Sequence, residues 1–338
     1  MKNWKFALAC VLIVGLMLSG CGTEPAETPS AEGDAPGGAD AVDYPNNTIE
    51  VILPVSAGGD TDLQARSLFP LVEETLGETM IINNMPGGAS AVGLQQLASS
   101  KPDGYTLLFT SVNHALVKAA GYADLTYEDF EVVCSCYTES CQIIIRGDDE
   151  RYSNYEEFVA YAQEHPGELN IGTGAAGGVW HLAAIKTFNE LGIDCEIIGS
   201  NGGSAGVGLT LLNGDIDAAV ISTSTYQDYF KSGEMKLIAT CAPERETYYP
   251  DVPTLTELGV DVQIESVRGI LAPKGTPIEI INILQDAFET AVNSEEYTEY
   301  CHSNMAEPLF MDREEYTEYC AEELELYSQL VEDAGLAA

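Results

Sequence analysis

The chain has 338 residues, of which 45% are hydrophobic, so it can bury the core of two average domains. It carries 14 lysines and arginines against 54 aspartates and glutamates, a formal net charge of −40. This excess of negative charge, together with the lack of any basic stretch in the sequence, excludes binding to nucleic acid and to anionic lipid headgroups. The apolar content excludes disorder over the whole chain.

The first residues read as an export signal. Lys2 and Lys5 precede an apolar run over residues 6–18, which is too short to span a bilayer. Cys21 follows in the sequence Leu-Ser-Gly-Cys, an arrangement typical of lipoprotein signals that are cleaved before the cysteine. We therefore predict a signal peptide over residues 1–20 and lipidation of Cys21, which would anchor the protein to the cell membrane on its extracytoplasmic side. The alternative is an ordinary secretory signal or membrane anchor with a chance cysteine.

The segment after Cys21 has the composition of a linker. Residues 22–43 are rich in proline, glycine, alanine and acidic residues and show no apolar period. Such a segment cannot bury enough surface to fold, so we predict a disordered acidic tether over residues 21–43, beginning with the lipidated cysteine. The function is then expected in residues 44–338.

Beyond the tether, β-like and α-like segments alternate. Strands are predicted at residues 48–53, 80–83, 105–110, 169–172, 195–198 and 216–221. Helices are predicted from about residue 63 to Gly77 and at residues 90–98, 153–163, 179–191, 207–212, 279–292, 295–302 and 312–332. The helix at 153–163 is predicted to open with a capping box formed by Ser153 and Glu156. Repeated βα units indicate an α/β fold with parallel sheet and helices on both faces.

Three glycine-rich loops follow predicted strands and precede predicted helices. They span residues 55–62, 172–181 and 200–206. Helix N-termini at the carboxyl ends of parallel strands present free N–H groups and a partial positive charge, so these loops are candidate sites for an anionic ligand. The alternative for any single loop is a tight turn with a capped helix.

The cysteines do not match a metal site. Of nine cysteines, Cys10 leaves with the signal and Cys21 takes lipid, so seven remain and at least one is unpaired within a single chain. Cys134, Cys136 and Cys141 are spaced C-x-C-x4-C, without a nearby histidine and without the paired C-x2-C of zinc sites. We predict no metal and no cofactor; small core residues or one local disulfide both remain open.

Two enzyme motifs occur in the glycine-rich loops. The first, G-x-G-x-x-G from Gly172 to Gly177, lacks the ribose-binding acid that a dinucleotide site requires at the end of the next strand. The second, G-x-S-x-G around Ser204, matches the nucleophile elbow of α/β-hydrolases, which need a later histidine. Only His302 follows, in an acid-rich helix. A serine hydrolase or esterase using Ser204 is kept as the alternative function.

An ordered set of short motifs resembles one family. The set comprises Ala57-Gly58-Gly59-x-Thr61-Asp62, Asn84-x-Pro86-Gly87-Gly88, Pro102-Asp103-Gly104-Tyr105, Pro166-Gly167-x-Leu169-Asn170, His181-Leu182-Ala183, Gly214-x-Ile216-Asp217, Tyr249-Pro250-Asp251-Val252-Pro253 and Leu271-Ala272-Pro273. It is similar to that of the substrate-binding receptors of tripartite tricarboxylate transporters, the Bug-type extracytoplasmic solute receptors. The resemblance covers nearly all of residues 44–338.

The resemblance implies a two-lobed periplasmic-binding-protein fold, type II-like, in which each lobe is a mainly parallel sheet flanked by helices. Lobe one would comprise residues 44–145 plus 266–338 and lobe two residues 146–265, with two crossover segments forming a hinge. Strand-like residues 142–146 and 263–271 stand at these boundaries. Such a protein is a monomer and not an enzyme; it captures a small carboxylate and delivers it to the membrane permease subunits of the transporter.

The same resemblance implies the ligand-binding residues, since the loops matching 55–62 and 173–181 face each other across the cleft. In lobe one they are Ser56, Ala57, Gly58, Gly59, Asp62, Thr110 and Ser111. In lobe two they are Thr173, Gly174, Ala175, Gly178, His181, Gly203 and Ser204. For His181, a direct contact to the ligand and a bracing role in its helix are both open.

Two departures from the family pattern affect the ligand. Asp60 adds a negative charge at the first helix N-terminus, and Arg268 stands where the family tends to have an aromatic stretch. Our hypothesis is that Arg268 makes a bidentate contact to the ligand carboxylate and offsets Asp60. A salt bridge from Arg268 to Glu265 or to another acid is the alternative. We therefore expect the ligand to be a di- or tricarboxylate, or an amino acid whose ammonium group would suit Asp60.

Overall fold

The structure, a computed structural model, describes residues 42–111, 113–200, 203–224 and 226–337. The predicted signal peptide, Cys21 and residues 22–41 of the predicted tether lie outside these ranges. Within the described ranges, no helix combines the length and the apolar character needed to cross a membrane.

Eleven strands can be followed in chain order through the described residues. They are β1 (Ile49–Leu53), β2 (Met80–Asn84), β3 (Thr106–Thr110), β4 (Phe130–Ser140), β5 (Gln142–Arg146), β6 (Asn170–Thr173), β7 (Glu196–Gly199), β8 (Ala218–Ile221), β9 (Met235–Thr240), β10 (Glu265–Pro273) and β11 (Glu307–Pro308). The first sheet has the order β11-β4-β10-β3-β1-β2, and the second has the order β7-β6-β8-β5-β9. The predicted α/β fold with two sheets and flanking helices is confirmed.

Ten α-helices of the described chain surround these sheets. They are α1 (Asp60–Leu76), α2 (Ala91–Ala98), α3 (Asn113–Ala119), α4 (Tyr155–Glu164), α5 (Val179–Glu190), α6 (Gly203–Asn213), α7 (Gln227–Ser232), α8 (Ile278–Val292), α9 (Glu295–Ser303) and α10 (Arg313–Asp333). The short helices α3 and α7 were not predicted. The predicted capping box of α4 is wrong, because Asn154 accepts the N–H of Glu157 at 2.9 Å while Ser153 binds the Glu157 carboxylate.

The sheets are mixed, so the prediction of mainly parallel sheets is wrong in that detail. In the first sheet β1 pairs in parallel with β2 and β3, but β10 runs antiparallel to β3 and β4. In the second, β6 pairs in parallel with β7 and β8, whereas β5 runs antiparallel to β8 and β9. The βα units produce parallel strands, and the two crossings between the sheets bring β5 and β10 back in the opposite direction.

The chain changes sheet at two crossovers. The first is Cys141, because β4 ends at Ser140 in the first sheet and Gln142 begins β5 in the second. The whole of β5 therefore lies in the second sheet, although residues 142–145 were predicted to belong to lobe one. The return crossover runs from the end of β9 to the start of β10 at Glu265.

Both crossovers meet the sheets at the edges where the parallel strands end. Gly269 of β10 lies opposite Thr110, the last residue of β3, so β10 enters the first sheet at that edge. Gln142 of β5 lies opposite Ile221, the last residue of β8, so β5 leaves from the corresponding edge of the second sheet. The carboxyl ends of the parallel strands in the two sheets therefore face a common space.

Helix α10 contributes to the cores of both sheets. Tyr316 and Cys320 pack with the first sheet, whereas Tyr327, Leu330 and Val331 pack with the second. Helix α3 likewise adds buried side chains to the core of the second sheet. Segments predicted to belong to lobe one therefore support the second sheet, because helix packing does not follow the order of the strands.

Candidate ligand cleft

Loops from both sheets line one cavity. In the first sheet, loops begin at Pro54 after β1, at Met85 after β2 and at Ser111 after β3; in the second, they begin at Gly174 after β6, at Ser200 after β7 and at Ser222 after β8. A cavity of about 380 Å³ is lined from the first sheet by residues that include Pro54, Ser90 and Asn113, and from the second by Ala175 to Gly178. Its size suits a small ligand.

Helices α1, α2 and α5, which follow the loops after β1, β2 and β6, begin without a side-chain cap. Gly59 precedes α1 and Gly178 precedes α5, and neither helix has a side-chain hydrogen bond at its N-terminus. Helices α4, α9 and α10 each begin with a capping side chain, whereas α8 also lacks one. The first N–H groups of α1 and α5 have no partner within their helices and carry the positive end of the helix dipole. These N–H groups can therefore donate hydrogen bonds to a bound anion.

The Asp62 side chain fixes the conformation of the loop before α1. The predicted residues Ser56, Ala57, Gly58 and Gly59 are exposed in this loop, whereas the Asp62 side chain is only 2% exposed. Its carboxylate accepts the Gly58 N–H at 2.8 Å, two N–H groups of Arg66 at 2.8 and 2.9 Å, and the Asn84 amide at 2.9 Å. Each oxygen thus has two partners, and Asp62 is a positioning residue for the loop.

These contacts keep Asp62 charged. Burial alone would favour its neutral form, but the hydrogen bonds from Arg66, Gly58 and Asn84 hold the pKa of its carboxyl below the usual range. The negative charge of Asp62 is therefore neutralised by Arg66 and stabilised by the hydrogen-bond donors Gly58 and Asn84. The predicted ligand contact of Asp62 remains a prediction, and its observed partners already fill the acceptor positions of the carboxylate.

The loop before α5 is braced by a histidine. Thr173 is fully buried at the end of β6, and its Oγ1 lies 3.0 Å from Nδ1 of His181. Burial lowers the pKa of His181, so the ring is neutral near pH 7. Ser200 donates its N–H to the carbonyl oxygens of Thr173 at 3.1 Å and Gly174 at 3.0 Å, which joins this loop to the one after β7.

The loops after β6 and β7 approach each other so closely that Gly199 cannot be replaced by a residue with a side chain. A Cβ atom on Gly199 would lie 2.7 Å from the backbone nitrogen of Ala176, a distance that no side chain tolerates. Glycine at this position therefore lets the loops after β6 and β7 lie against each other. Ala175 is exposed at the tip of the first of these loops, and Gly178 is half-buried.

The remaining predicted residues lie around the cleft rather than in one cluster. Thr110 is buried at the end of β3, with Ser111 half-buried after it. Gly203 is the first residue of α6, and Ser204 is half-buried in the first turn of that helix. Of the whole predicted set, Ala175 and Gly178 line the cavity itself.

A serine–threonine segment at the cleft was missed. Ser222, Thr223 and Ser224 follow β8 directly, and their hydroxyl groups are buried without a hydrogen-bond partner. Because β8 pairs with β6, with Thr173 opposite Val220, this segment lies beside the loop before α5. Unpaired buried hydroxyls are unfavourable, which makes them candidate partners for a ligand. Polar residues directly after a buried strand were the available signal, but the segment contains no glycine.

Arg268 forms a buried ion pair with Glu139. Its guanidinium contacts the Glu139 carboxylate, donates to the carbonyl oxygen of Ser266 at 2.7 Å, and lies 5.2 Å from the ring centroid of Tyr137. Burial raises the pKa of Glu139 to about 7, with Arg268 opposing this shift and Asp60 adding to it. The alternative of a salt bridge is therefore observed, with Glu139 rather than Glu265 as the partner.

The structure gives no support to the hydrolase alternative. The histidines of the described chain contact other groups, namely Glu323 and Cys320 for His114, Glu168 for His165, Thr173 for His181 and Glu307 for His302. No hydrogen bond between described residues joins any of these rings to Ser204. No group of three potential metal ligands is found in that part of the chain either.

Comparisons with known proteins agree on one family. A family model described as "Tripartite tricarboxylate transporter family receptor" matches residues 65–336. A Cupriavidus necator protein, "UPF0065 protein in gbd 5'region", is 28% identical over 305 residues, which is 89% of this chain and 92% of that protein.

Solved structures agree with this family match. A TctC solute-binding protein from Polaromonas, determined without ligand, superposes with a TM-score of 0.75 at 29% identity, covering 86% of this chain and 99% of that one. MatC from Rhodopseudomonas palustris, determined with bound malate, shares the fold with a TM-score of 0.71 at 24% identity, covering 85% of this chain and 100% of that one.

Proposed function

This chain belongs to the tripartite tricarboxylate transporter family of receptors, and from that premise we propose that it captures a small carboxylate between its two sheets and delivers it to the permease subunits of such a transporter. The family is one of extracytoplasmic solute-binding proteins. Each sheet forms the centre of one lobe, and the two crossovers form the hinge on which the lobes close. The protein acts as a monomeric receptor without catalysis, anchored by lipid on Cys21.

The observation that carries this proposal is the pair of uncapped helix N-termini at one cleft. Gly59 and Gly178 precede α1 and α5 in loops from the two sheets; Pro54 of the first loop and Ala175 to Gly178 of the second line the cavity, and none of its described lining residues is charged. N–H groups and hydroxyls can hold a carboxylate in such a site without a buried cation. The class of ligand is a di- or tricarboxylate, or an amino acid that carries a carboxylate.

The proposal is tested by calorimetric titration of the protein without its signal peptide. The ligands are citrate, malate, adipate, acidic amino acids and aromatic carboxylates, with the corresponding amides as controls. We expect one selective carboxylate to bind and to raise the melting temperature, since a ligand that binds only the folded state stabilises it. Binding of no carboxylate, or equal binding of the amides, would contradict the proposal.

Ala175→Asp should weaken binding of the carboxylate found in this way by about tenfold or more. Ala175 is exposed at the loop before α5 and lines the cavity, so an aspartate there places a negative charge beside the ligand. The measurement is the dissociation constant by calorimetry. Ala160→Asp, on the exposed face of α4, is the matched control and should bind as the wild type does. Unchanged affinity in Ala175→Asp would exclude this cleft as the binding site.

The variant Thr223→Val should lower the affinity for the ligand without lowering the stability of the protein. The Thr223 hydroxyl is buried without a partner in the free protein, so its removal should leave the free energy of unfolding unchanged or higher. If the ligand accepts or donates a bond there, affinity should fall by up to about tenfold. Thr187 of α5 also has a buried, unpartnered hydroxyl, but it lies near the opposite end of α5 from the cleft. Thr187→Val should likewise leave the free energy of unfolding unchanged or higher and should leave the affinity unchanged, and equal affinity of both variants would remove Thr223 from the site.

A further inference from the structure

Two buried cysteines meet where the chain changes sheet. Cys141 is the first crossover itself, and Cys241 follows the last residue of β9 at the start of the second crossover. Their Sγ atoms lie 3.1 Å apart, and both side chains are fully buried. The Cys241 N–H donates to the Cys141 carbonyl oxygen at 2.9 Å, so the two residues also contact each other through the backbone.

We propose that Cys141 and Cys241 form a disulfide that joins the two crossovers at the second sheet. The receptors of this family work outside the cytoplasm, where disulfides form and persist. In the structure the thiols are in direct contact, and the bonded separation of about 2 Å requires only a small movement of the side chains. The proposal is independent of which ligand the cleft binds.

The other cysteines of the described chain have different contacts, and among them Cys134 and Cys136 hydrogen-bond to each other through their side chains. Cys320 contacts Nε2 of His114 at 3.5 Å, and Cys301 contacts Oε1 of Gln64 at 3.8 Å. Cys134 and Cys136 are neighbours on one face of β4, with two residues of strand rise, about 6.6 Å, between their Cα atoms. That separation is at the upper limit for a disulfide, so this pair is the matched control.

The bond forms by thiol–disulfide exchange with a disulfide donor such as oxidised glutathione. The thiolate of one cysteine attacks a donor sulfur and releases one glutathione thiolate; the second cysteine then attacks the mixed disulfide and releases the other. The two cysteines lose two protons and two electrons, and the donor becomes two thiols. Because the thiols are buried, and burial raises the pKa of Cys141, this exchange belongs to folding rather than to the folded protein.

The bond would enclose the whole second sheet in a covalent loop. Strands β5 to β9 all lie between Cys141 and Cys241. A cross-link that closes a loop of about 100 residues restricts the unfolded chain strongly and so favours the folded state. The oxidised protein should therefore melt about 5–10 °C above the reduced protein.

The bond is tested by mapping the thiols of the full chain after refolding in a glutathione redox buffer. Free thiols are blocked with N-ethylmaleimide in denaturant, disulfides are reduced, and the released thiols are labelled with iodoacetamide before peptide mass spectrometry. We expect iodoacetamide on Cys141 and Cys241 and N-ethylmaleimide on Cys134, Cys136, Cys195, Cys301 and Cys320. N-ethylmaleimide on Cys141 and Cys241, or a linkage of either to another cysteine, would overturn the proposal.

Melting temperatures provide the second readout. The double variant Cys141→Ala/Cys241→Ala should melt at the same temperature with and without reductant, whereas Cys134→Ala/Cys136→Ala should keep the 5–10 °C difference expected of the wild type. The same melting temperature for oxidised and reduced wild type would refute the stabilising bond. Neither readout uses a ligand, so failure here and failure of the receptor proposal are distinguished.

Discussion

Arg268→Met should lower the free energy of unfolding by about 3–5 kcal/mol. Arg268 and Glu139 have side chains only 8% and 3% exposed, and they form an ion pair between β10 and β4. Removing the guanidinium leaves a carboxylate buried near Asp60 with no compensating charge, which is the costly way to break such a pair. The measurement is urea unfolding at pH 8, followed by circular dichroism.

Two further variants isolate the ion pair. Arg245 pairs with Glu257 on the surface, with side chains 43% and 46% exposed, so Arg245→Met should cost less than about 1 kcal/mol. The double variant Arg268→Met/Glu139→Met removes both buried charges and should recover most of the lost stability. A loss in Arg268→Met no larger than that in Arg245→Met would contradict a stabilising role for the buried pair.

The double variant also tests the proposed ligand contact of Arg268. If the arginine only neutralises Glu139, the double variant should bind the ligand as the wild type does. If the arginine also binds the ligand carboxylate, affinity should fall by about tenfold or more while stability is retained. Arg268→Met alone cannot make this distinction, because its low stability affects both quantities.

The sequence predicts the elements of this fold better than their pairing. Hydrophobic periods are local, so the strand at residues 80–83 and the helix at 279–292 are found within one or two residues of β2 and α8. The direction of β5 and β10 depends on the path of the chain between the sheets, which no local pattern contains. The prediction of mainly parallel sheets failed at those two strands for this reason, and it failed also at β11, which runs antiparallel to β4.

For the candidate site, too, the sequence predicts the loops better than it predicts which side chains contact each other. Glycines after strands mark the loops at Gly59 and Gly178, since these loops need small residues near helix N-termini. The partners of charged side chains are set by the folded structure: Asp62 of α1 binds Asn84 at the end of β2, and Arg268 binds Glu139, 129 residues away in the sequence. Such partners could not be assigned from spacing.

The protein should become more stable as the pH is lowered from 8 to about 5. Burial raises the pKa of Glu139 and of Glu246 to about 7, above the ordinary value of 4.5. Burial also raises the pKa values of Glu265 and Glu323, so between pH 7 and 4.5 the folded protein binds at least two more protons than the unfolded chain, and acid favours the folded state. This stability is complete below the unfolded pKa and is lost as the pH rises through 7.

Groups with lowered pKa values oppose this gain in stability at low pH, and they determine the pH at which the protein is most stable. Burial lowers the pKa of His114 to about 4, so its contribution is present above pH 6.5 and is lost as the pH falls toward 4. His114 offsets about one of the buried glutamates over that range, and the lowered pKa of His181 opposes the trend in the same direction. The contribution of Asp62, whose pKa is also lowered, is lost only below about pH 4. The optimum is therefore expected near pH 5.

The variant Glu246→Gln tests whether the buried carboxyl groups cause the pH dependence of stability. Its Oε1 accepts from Gln142 at 2.6 Å and from the Tyr248 hydroxyl at 2.9 Å, and the Thr240 side chain also hydrogen-bonds to the carboxylate. The amide keeps this shape without the charge, so the gain between pH 8 and 5 should shrink by about 3 kcal/mol. Glu156→Gln, at an exposed position of α4, removes one unit of the overall negative charge and should leave the gain unchanged. The same slope in both variants would assign the pH dependence to general charge repulsion rather than to the buried carboxyls.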